Sequence, residues 1–194
     1  MDFMVSNLAA YRTLRQELTS EAGLAAIMRS GAISPEQFGD LRADQYGVRT
    51  RITVDGQPIK FEIVYESRID FAAPRRRDAV CGISTLQAVD LAASKLLANS
   101  DRWPDDGVFS RDLIDLAMMK PSLALLREAM AKAEGAYGPA VPRDLARAIE
   151  RMRERNGWLE RCLRAMAMTL PPAQVWQRIR SLRRALPASP PSAG

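Results

Sequence analysis

The most informative absence from this sequence of 194 residues is histidine, which does not occur at all. Without histidine, Ser-His-Asp and Cys-His nucleophilic catalysis is excluded, and so are transition-metal sites with imidazole ligands. The two cysteines, Cys81 and Cys162, form no CxxC pair, which argues against a zinc site and a structural disulfide. Any catalysis must therefore use carboxylates, lysine and arginine, and the cofactor that these groups favour is a hard cation such as Mg²⁺.

Long apolar segments and glycine-rich phosphate loops are also missing. No run approaches the roughly 18 apolar residues of a membrane helix, and the N-terminus has no basic-then-apolar leader. We therefore expect a cytoplasmic protein with no membrane partner. Neither GxxxxGK(S/T) nor GxGxxG occurs, which excludes the common nucleotide-binding loops. Hydrophobic content of 47% and charged content of 26% are typical of an ordinary globular protein.

The net charge of +5 is concentrated at the C-terminal end of the chain. From Ala140 onward, eleven arginines stand against four acidic residues, a net charge of +7, and the preceding residues carry −2. Such a basic segment favours a nucleic acid or a nucleotide polyphosphate as partner. A bias in base composition would give the same arginine-rich pattern, so both interpretations stay open. If the arginines bind RNA, we expect them to gather on one face of the helices.

Apolar periodicity predicts strands and helices in the first part of the chain. Alternation predicts a strand at Met1–Val5 and a hairpin of two strands, 46–54 and 59–66, with its turn at Asp55-Gly56. Helical spacing and an N1 proline predict two helices between them, at 8–29 and 34–38.

The second part of the chain is predicted to be helical. Ser84 and Gln87 have the spacing of a capping box at a helix start. Further helices are predicted from Ser110, over 120–133, over 142–166 and over 170–186. These elements predict three segments: an α+β domain at 1–83, a helical domain at 84–187 and a disordered tail at 188–194.

A set of charged residues could together support phosphate chemistry. It comprises Asp2, Glu62, Lys95, Arg102, Asp112 and Asp115. Carboxylates on adjacent strands can hold Mg²⁺ ions that bridge a nucleoside triphosphate and an attacking hydroxyl. A lysine and an arginine from neighbouring helices could neutralise the phosphates. Each residue also has an ordinary structural explanation, such as a solvent-facing lysine or an acid in the first turn of a helix.

The segment ISTLQAVDLAASKLLANSDRW, with SRDLIDLAMM after it, resembles the AbiEii/AbiGii toxin family of polymerase-β-like nucleotidyltransferases. Members carry a helix ending in lysine, then an arginine, then a (Lys/Arg)-Asp-Leu-x-Asp-Leu segment. The matching positions here are Lys95, Arg102 and 111–116. The strand IKFEIV resembles the family strand that supplies a carboxylate, matched by Glu62. MDF resembles the second half of the family's Asp-x-Asp metal motif, matched by Asp2.

This resemblance implies an activity and a set of residue roles. The activity is transfer of a nucleotide from an NTP to an acceptor, with tRNA or another RNA as candidate, in a toxin–antitoxin or phage-defence system with a cognate antitoxin. Asp2 and Glu62 would hold Mg²⁺, Arg102 and Lys95 would bind substrate, and Lys95 and Asp112 would be catalytic. We expect Lys95 and Asp112 to converge on one cleft with Glu62. The implied fold is α+β, a partial nucleotidyltransferase-like sheet with flanking helices followed by a helical C-terminal part.

Two elements of the family pattern are not found in this sequence. The glycine-rich motif and the first Asp of Asp-x-Asp would lie upstream of Met1. We therefore expect an N-terminally truncated member with little or no NTP transfer. The alternative function is a catalytically inactive remnant that binds nucleic acid or a protein. Salt-sensitive binding without nucleotide incorporation would favour that alternative.

Overall fold

Residues 2–5, 7–28 and 39–187 are described by the computed structural model of the chain. They contain both α-helices and β-strands, and the α+β class predicted from the sequence is confirmed. The chain divides into two units, Met1–Asp70 and Phe71–Gly194.

The domain bounds inferred from the sequence, 1–83 and 84–187, stay a prediction. The predicted helix at 34–38 and the predicted tail at 188–194 lie outside the described residues.

A four-stranded mixed sheet forms the centre of the first unit. Its order is β1 (Asp2–Val5), β4 (Gln57–Tyr65), β3 (Gly47–Val54) and β2 (Arg42–Ala43), with β1 parallel to β4 and the other pairs antiparallel. The predicted hairpin is confirmed. Its turn residues Asp55 and Gly56 have φ values of +50° and +75°, the left-handed conformations that a tight two-residue hairpin turn requires.

One face of this sheet carries the hydrophobic core, because strand side chains alternate between the two faces. The core joins residues of β3 and β4 to side chains from residues 11–24, which precede these strands in the chain; it contains Tyr11, Leu18, Leu24, Val48, Ile52, Phe61 and Ile63. The residues of β3 and β4 that point to the opposite face include Arg49, Arg51, Lys60 and Glu62, together with Thr53 and Val64. The other face of the sheet is therefore mostly charged.

Helix α1 (Leu8–Leu18) is shorter than the predicted helix over 8–29. It begins at Asn7, whose side chain accepts a hydrogen bond of 3.0 Å from the Ala10 amide. A separate 3-10 helix follows over Gly23–Ile27. Gly23 has a φ of +53°, a left-handed conformation that an α-helix cannot continue through. The predicted C-terminal boundary was therefore wrong.

The second unit begins with a short hairpin of β5 (Ala79–Val80) and β6 (Ile83–Ser84). Within the described part of this unit six α-helices follow: α2 (Ala88–Arg102), α3 (Arg111–Met118), α4 (Leu123–Tyr137), α5 (Ala140–Glu154), α6 (Trp158–Ala165) and α7 (Pro172–Ser181). Helix α2 is central to this unit, since it packs against α3, α4 and α5. None of the helices in the described ranges is long and apolar enough to cross a membrane.

Two predicted helix boundaries in the second unit were wrong. The predicted capping box does not form, because Ser84 pairs with Ala79 in the hairpin and Gln87 is the N-cap of α2. The predicted helix over 142–166 is two helices, α5 and α6. Gly157 separates them with a φ of +70°.

Candidate functional site

The charged motif identified in the sequence lies where α2 packs against α3. Lys95 Nζ donates to an Asp115 carboxylate oxygen at 2.6 Å. About two turns further along α2, Arg102 contacts Asp112. The later residue of α2 thus contacts the earlier residue of α3, so the two helices run antiparallel. The sequence placed both aspartates on one face of a helix, and the structure shows that each carboxylate has its own cation.

Arg102 and Asp112 form a bidentate pair. Arg102 Nε lies 2.6 Å from Asp112 Oδ2, and Nη2 lies 2.9 Å from Oδ1. The Asp112 side chain is 2% exposed, whereas the Arg102 side chain is 44% exposed. These hydrogen bonds raise the pKa of the Arg102 guanidinium above its usual range. The pair therefore presents a permanently charged, planar cation whose orientation is set by a buried carboxylate.

The loop between α2 and α3 is held by an aspartate that the sequence analysis did not single out. Asp106 Oδ1 accepts hydrogen bonds from Arg151 at 2.7 Å and from Arg155 at 2.6 Å, and Oδ2 accepts one from Arg155 at 3.0 Å. Arg155 first, and then Arg151, lower the pKa of Asp106 to about 2. This cluster ties the loop before Asp112 to the end of α5.

A second set of contacts fixes the turn immediately before α3. Trp158 Nε1 donates to the Ser110 hydroxyl at 3.0 Å, and the Trp158 ring stacks on Phe109 with centroids 6.3 Å apart. Arg155 covers the same indole at 4.0 Å from its centroid. Phe109 and Ser110 both have left-handed φ values, near +50°. Such conformations are kept by surrounding contacts, so Trp158 and Arg155 stabilise the turn that delivers Asp112 to α2.

The two cysteines have different environments. Cys162 is buried, and burial raises the pKa of its thiol to about 11. A thiol in that state is neutral near pH 7 and is a poor nucleophile. Cys81 is exposed at the tip of the β5–β6 hairpin.

The two predicted metal ligands belong to the first unit. Asp2 of β1 and Glu62 of β4 are register partners in a parallel pair, so both side chains leave the same face of the sheet. Glu62 accepts hydrogen bonds from Lys60 and, at 2.6 Å, from Arg49 Nε. The bond from Lys60, with that from Arg49, lowers the pKa of Glu62 below its usual value. Glu62 is therefore ionised near neutral pH.

The sheet carries few carboxylates that could hold a cation, and Glu62 is already paired. Among the residues that the structure describes, no cluster of three or more acidic or cysteine side chains could hold a metal ion. Asp2 and Glu62 offer two carboxylates. Mg²⁺ is usually held by one or two carboxylates, but both Glu62 oxygens already accept from cations, Oε1 from Arg49 and Oε2 from Lys60, so a metal ion would have to displace one of them. The predicted convergence of Lys95 and Asp112 with Glu62 stays a prediction.

Comparison with known proteins gives one match. The family described as nucleotidyl transferase AbiEii toxin, type IV toxin–antitoxin system, has a model that matches residues 1–186. No curated protein and no solved structure matches the chain significantly. The family match covers both units, including the α2–α3 motif and the four-stranded sheet. The chain therefore belongs to the AbiEii family of nucleotidyltransferase toxins.

Proposed function

We propose that the protein transfers a nucleotide from an NTP to an RNA acceptor, with tRNA the first candidate, as the toxin of a phage-defence pair with its own antitoxin. Membership of the AbiEii family over residues 1–186 is the observation that carries this proposal. The family itself implies a nucleotide substrate and a cognate antitoxin. The acceptor, the Mg²⁺ ion and the residue roles below are parts of the proposal.

Lys95 and Arg102 are assigned to the phosphates of the NTP. An ammonium group has three N–H donors, and Lys95 uses one of them on Asp115. A guanidinium has five, and Arg102 uses two on Asp112. Both cations thus keep donors for phosphate oxygens while remaining held in place. The side chain of Lys95 is 28% exposed, so an incoming anion can reach it.

Asp112 is assigned a positioning role through Arg102. Both of its oxygens accept from the guanidinium, and it is buried beneath that group. A bidentate pair fixes the plane as well as the position of the guanidinium. This arrangement supports electrostatic stabilisation of charge on the transferred phosphate by a preorganised cation.

Asp2 and Glu62 are assigned to Mg²⁺. When bound, this ion neutralises phosphate charge and lowers the barrier to attack on phosphorus. The residues of the chain that belong to this part of the proposal are the two register partners on β1 and β4. Lys60 and Arg49 lower the pKa of Glu62 but also occupy both of its oxygens, so Mg²⁺ would displace at least one of these cations on binding.

The test is labelling of RNA by the purified chain. Each of the four α-³²P NTPs is incubated with total tRNA and Mg²⁺, and a parallel sample contains EDTA. If the chain is an active transferase and not the weak, truncated member expected from the sequence, RNA is labelled with Mg²⁺ only, and Lys95→Ala lowers the labelling at least about hundredfold. Asp55→Asn, in the exposed β3–β4 turn, is the matched control and should label RNA as the wild type does.

The same experiment, together with an RNA-binding measurement, distinguishes this proposal from the alternative function. No incorporation with any NTP, together with RNA binding that weakens with salt, would identify a catalytically inactive binding module. Equal labelling by Lys95→Ala and wild type would remove Lys95 from the substrate site.

A further inference from the structure

A row of arginines follows one side of α5. Arg143, Arg147 and Arg151 lie four residues apart, and Arg155 continues the row at the C-cap. Residues four apart on a helix are neighbours, about 6 Å apart along the axis. All four line one groove of about 550 Å³. Four of the eleven C-terminal arginines are thus gathered on a single face.

The arginines at the two ends of this row lie at different distances from their acidic neighbours. Arg151 and Arg155 hold Asp106 at hydrogen-bond distances. At the other end, the acidic neighbour is Asp144, at 3.5 Å from Arg143 Nε and 3.9 Å from Arg147 Nη1.

Asp144 is itself engaged elsewhere. Its other oxygen accepts the Ser100 hydroxyl at 2.6 Å, and the carboxylate is buried. Arg143 and Arg147 have side chains more than half exposed. They are therefore the part of the row that can take another anion.

The acidic side chains of the groove do not cancel this charge. Glu150 and Glu154 line it as well, but both are paired with Arg153, and Glu150 is also paired with Arg183. Arg153 and Arg183 lie outside the groove lining. The carboxylates are thus neutralised by arginines other than the four in the row.

An aromatic ring completes the groove. Trp103, the C-cap residue of α2, lines it beside the exposed arginines, and Arg147 lies over the indole at 5.9 Å from the ring centroid. Guanidinium groups that follow a backbone, with an aromatic face on which a base can stack, are the features of single-stranded nucleic-acid sites. An acidic protein would need the cations but not the indole.

From this geometry we propose that the Trp103–Arg143–Arg147 groove binds single-stranded RNA. The phosphates contact Arg143 and Arg147, and a base stacks on Trp103. The inference rests on the proposed function only in taking RNA as the acceptor. It adds the surface on which that RNA is held.

The experiment is fluorescence anisotropy of the full chain with a labelled 20-nucleotide single-stranded RNA, in EDTA and without NTP. Arg143→Ala/Arg147→Ala should weaken binding about tenfold or more and reduce the slope of log K against log salt by about 1.4, since each single-strand phosphate contact contributes about 0.7. Arg180→Ala/Arg184→Ala removes two exposed arginines outside the groove and is the matched control. It should lose much less affinity.

The stacking contact is tested separately. Trp103→Leu should weaken RNA binding about tenfold, and Trp103→Phe, which keeps an aromatic face, should restore most of it. Thermal unfolding of every variant is measured first, so that loss of binding is compared between folded proteins.

Three results would overturn the proposal. Loss of affinity in the control equal to that in the groove variant would indicate a diffuse charge effect. Unchanged binding by the groove variant would place RNA elsewhere. A labelled oligoglutamate that binds as tightly as RNA, and is lost with Arg143 and Arg147, would identify an acidic protein as the partner. Because no NTP is present, RNA binding lost by the groove variant supports the groove even if transfer is never observed.

Discussion

The exposed guanidinium of Arg102 and the buried carboxylate of Asp112 share two parallel hydrogen bonds, of 2.6 and 2.9 Å. Exposure is strongly unequal in this pair, 44% against 2%. Removal of either partner therefore has a different physical consequence. Without Asp112, Arg102 can be hydrated in place. Without Arg102, a buried carboxylate loses the cation that compensates its desolvation.

We therefore expect replacement of the exposed Arg102 to destabilise the protein more than replacement of the buried Asp112. Arg102→Ala should lower the free energy of unfolding by about 3–5 kcal/mol, the range for breaking a buried ion pair. Asp112→Asn should cost only about 1–2 kcal/mol, because the amide keeps the shape and part of the hydrogen bonding. Urea unfolding of both variants measures the difference. A larger loss in Asp112→Asn would contradict this account.

Asp106 should make stability depend on pH in acid. Its pKa is lowered to about 2 by Arg155 and Arg151, below the ordinary value of 3.8. A carboxyl whose folded pKa is depressed stabilises the protein fully above its unfolded pKa and loses that effect as pH falls through its folded pKa. The melting temperature of Asp106→Asn should therefore lie below that of the wild type at pH 7. The gap should close between about pH 4 and pH 2.

The Asp106 effect has an internal control. Arg151 and Arg155 act on the same carboxylate. The triple variant with both arginines and Asp106 replaced should lose less stability than the sum of the separate changes. Each single replacement already removes an arginine–Asp106 interaction, and the triple variant cannot lose the same interaction twice. Additive losses at pH 7 would show that the three side chains do not interact.

The two thiols should differ in reactivity. Cys81 is exposed, whereas Cys162 is buried with a pKa of about 11. The folded protein at pH 7 should react rapidly with one equivalent of Ellman's reagent, and the unfolded protein in guanidinium with two. Cys81→Ser should abolish the rapid phase. A rapid phase that persists in Cys81→Ser would mean that Cys162 is accessible.

Replacing glycine by alanine should change the free energy of unfolding in opposite directions at two positions. Gly157 adopts a φ of +70°, and an added Cβ would meet no atom within 4 Å, so conformational strain is the cost. Gly157→Ala should destabilise the protein by about 1 kcal/mol. Gly135 lies within α4, also with open space around it, and Gly135→Ala should stabilise by about 0.5–1 kcal/mol. Thermal unfolding distinguishes the two, and a stabilised Gly157→Ala would contradict the assigned break between α5 and α6.

The sequence predicted those elements whose pattern is set locally. The β3–β4 hairpin has strict alternation and an Asp-Gly turn, and both appear as predicted. The break at Gly157 was missed because the apolar steps of three and four residues continue through it, so only the glycine itself marked the change. The short strands β5 and β6 have two residues each, too few for any periodicity.

The candidate site was predictable in its residues but not in its contacts. Spacing placed Asp112 and Asp115 on one helix face, but which cation meets which carboxylate depends on the direction in which α2 and α3 pack. Asp106 could not have been identified, since its arginine partners are 45 and 49 residues away in the sequence. Contacts at such separations are fixed by tertiary packing alone.

Because α2 packs against three other helices, its position determines how the second unit unfolds. Hydrogen bonds join α2 to each of these neighbours. Asp90, near the start of α2, accepts from Lys132 of α4, Lys95 donates to Asp115 of α3, and Ser100 donates to Asp144 of α5. Displacement of α2 would break polar contacts with three helices together and would leave buried carboxylates unpaired. Local fraying cannot release its amide hydrogens. In native-state hydrogen exchange the middle of α2 should therefore exchange only through unfolding of the whole unit, while α7, at the periphery of these contacts, exchanges earlier.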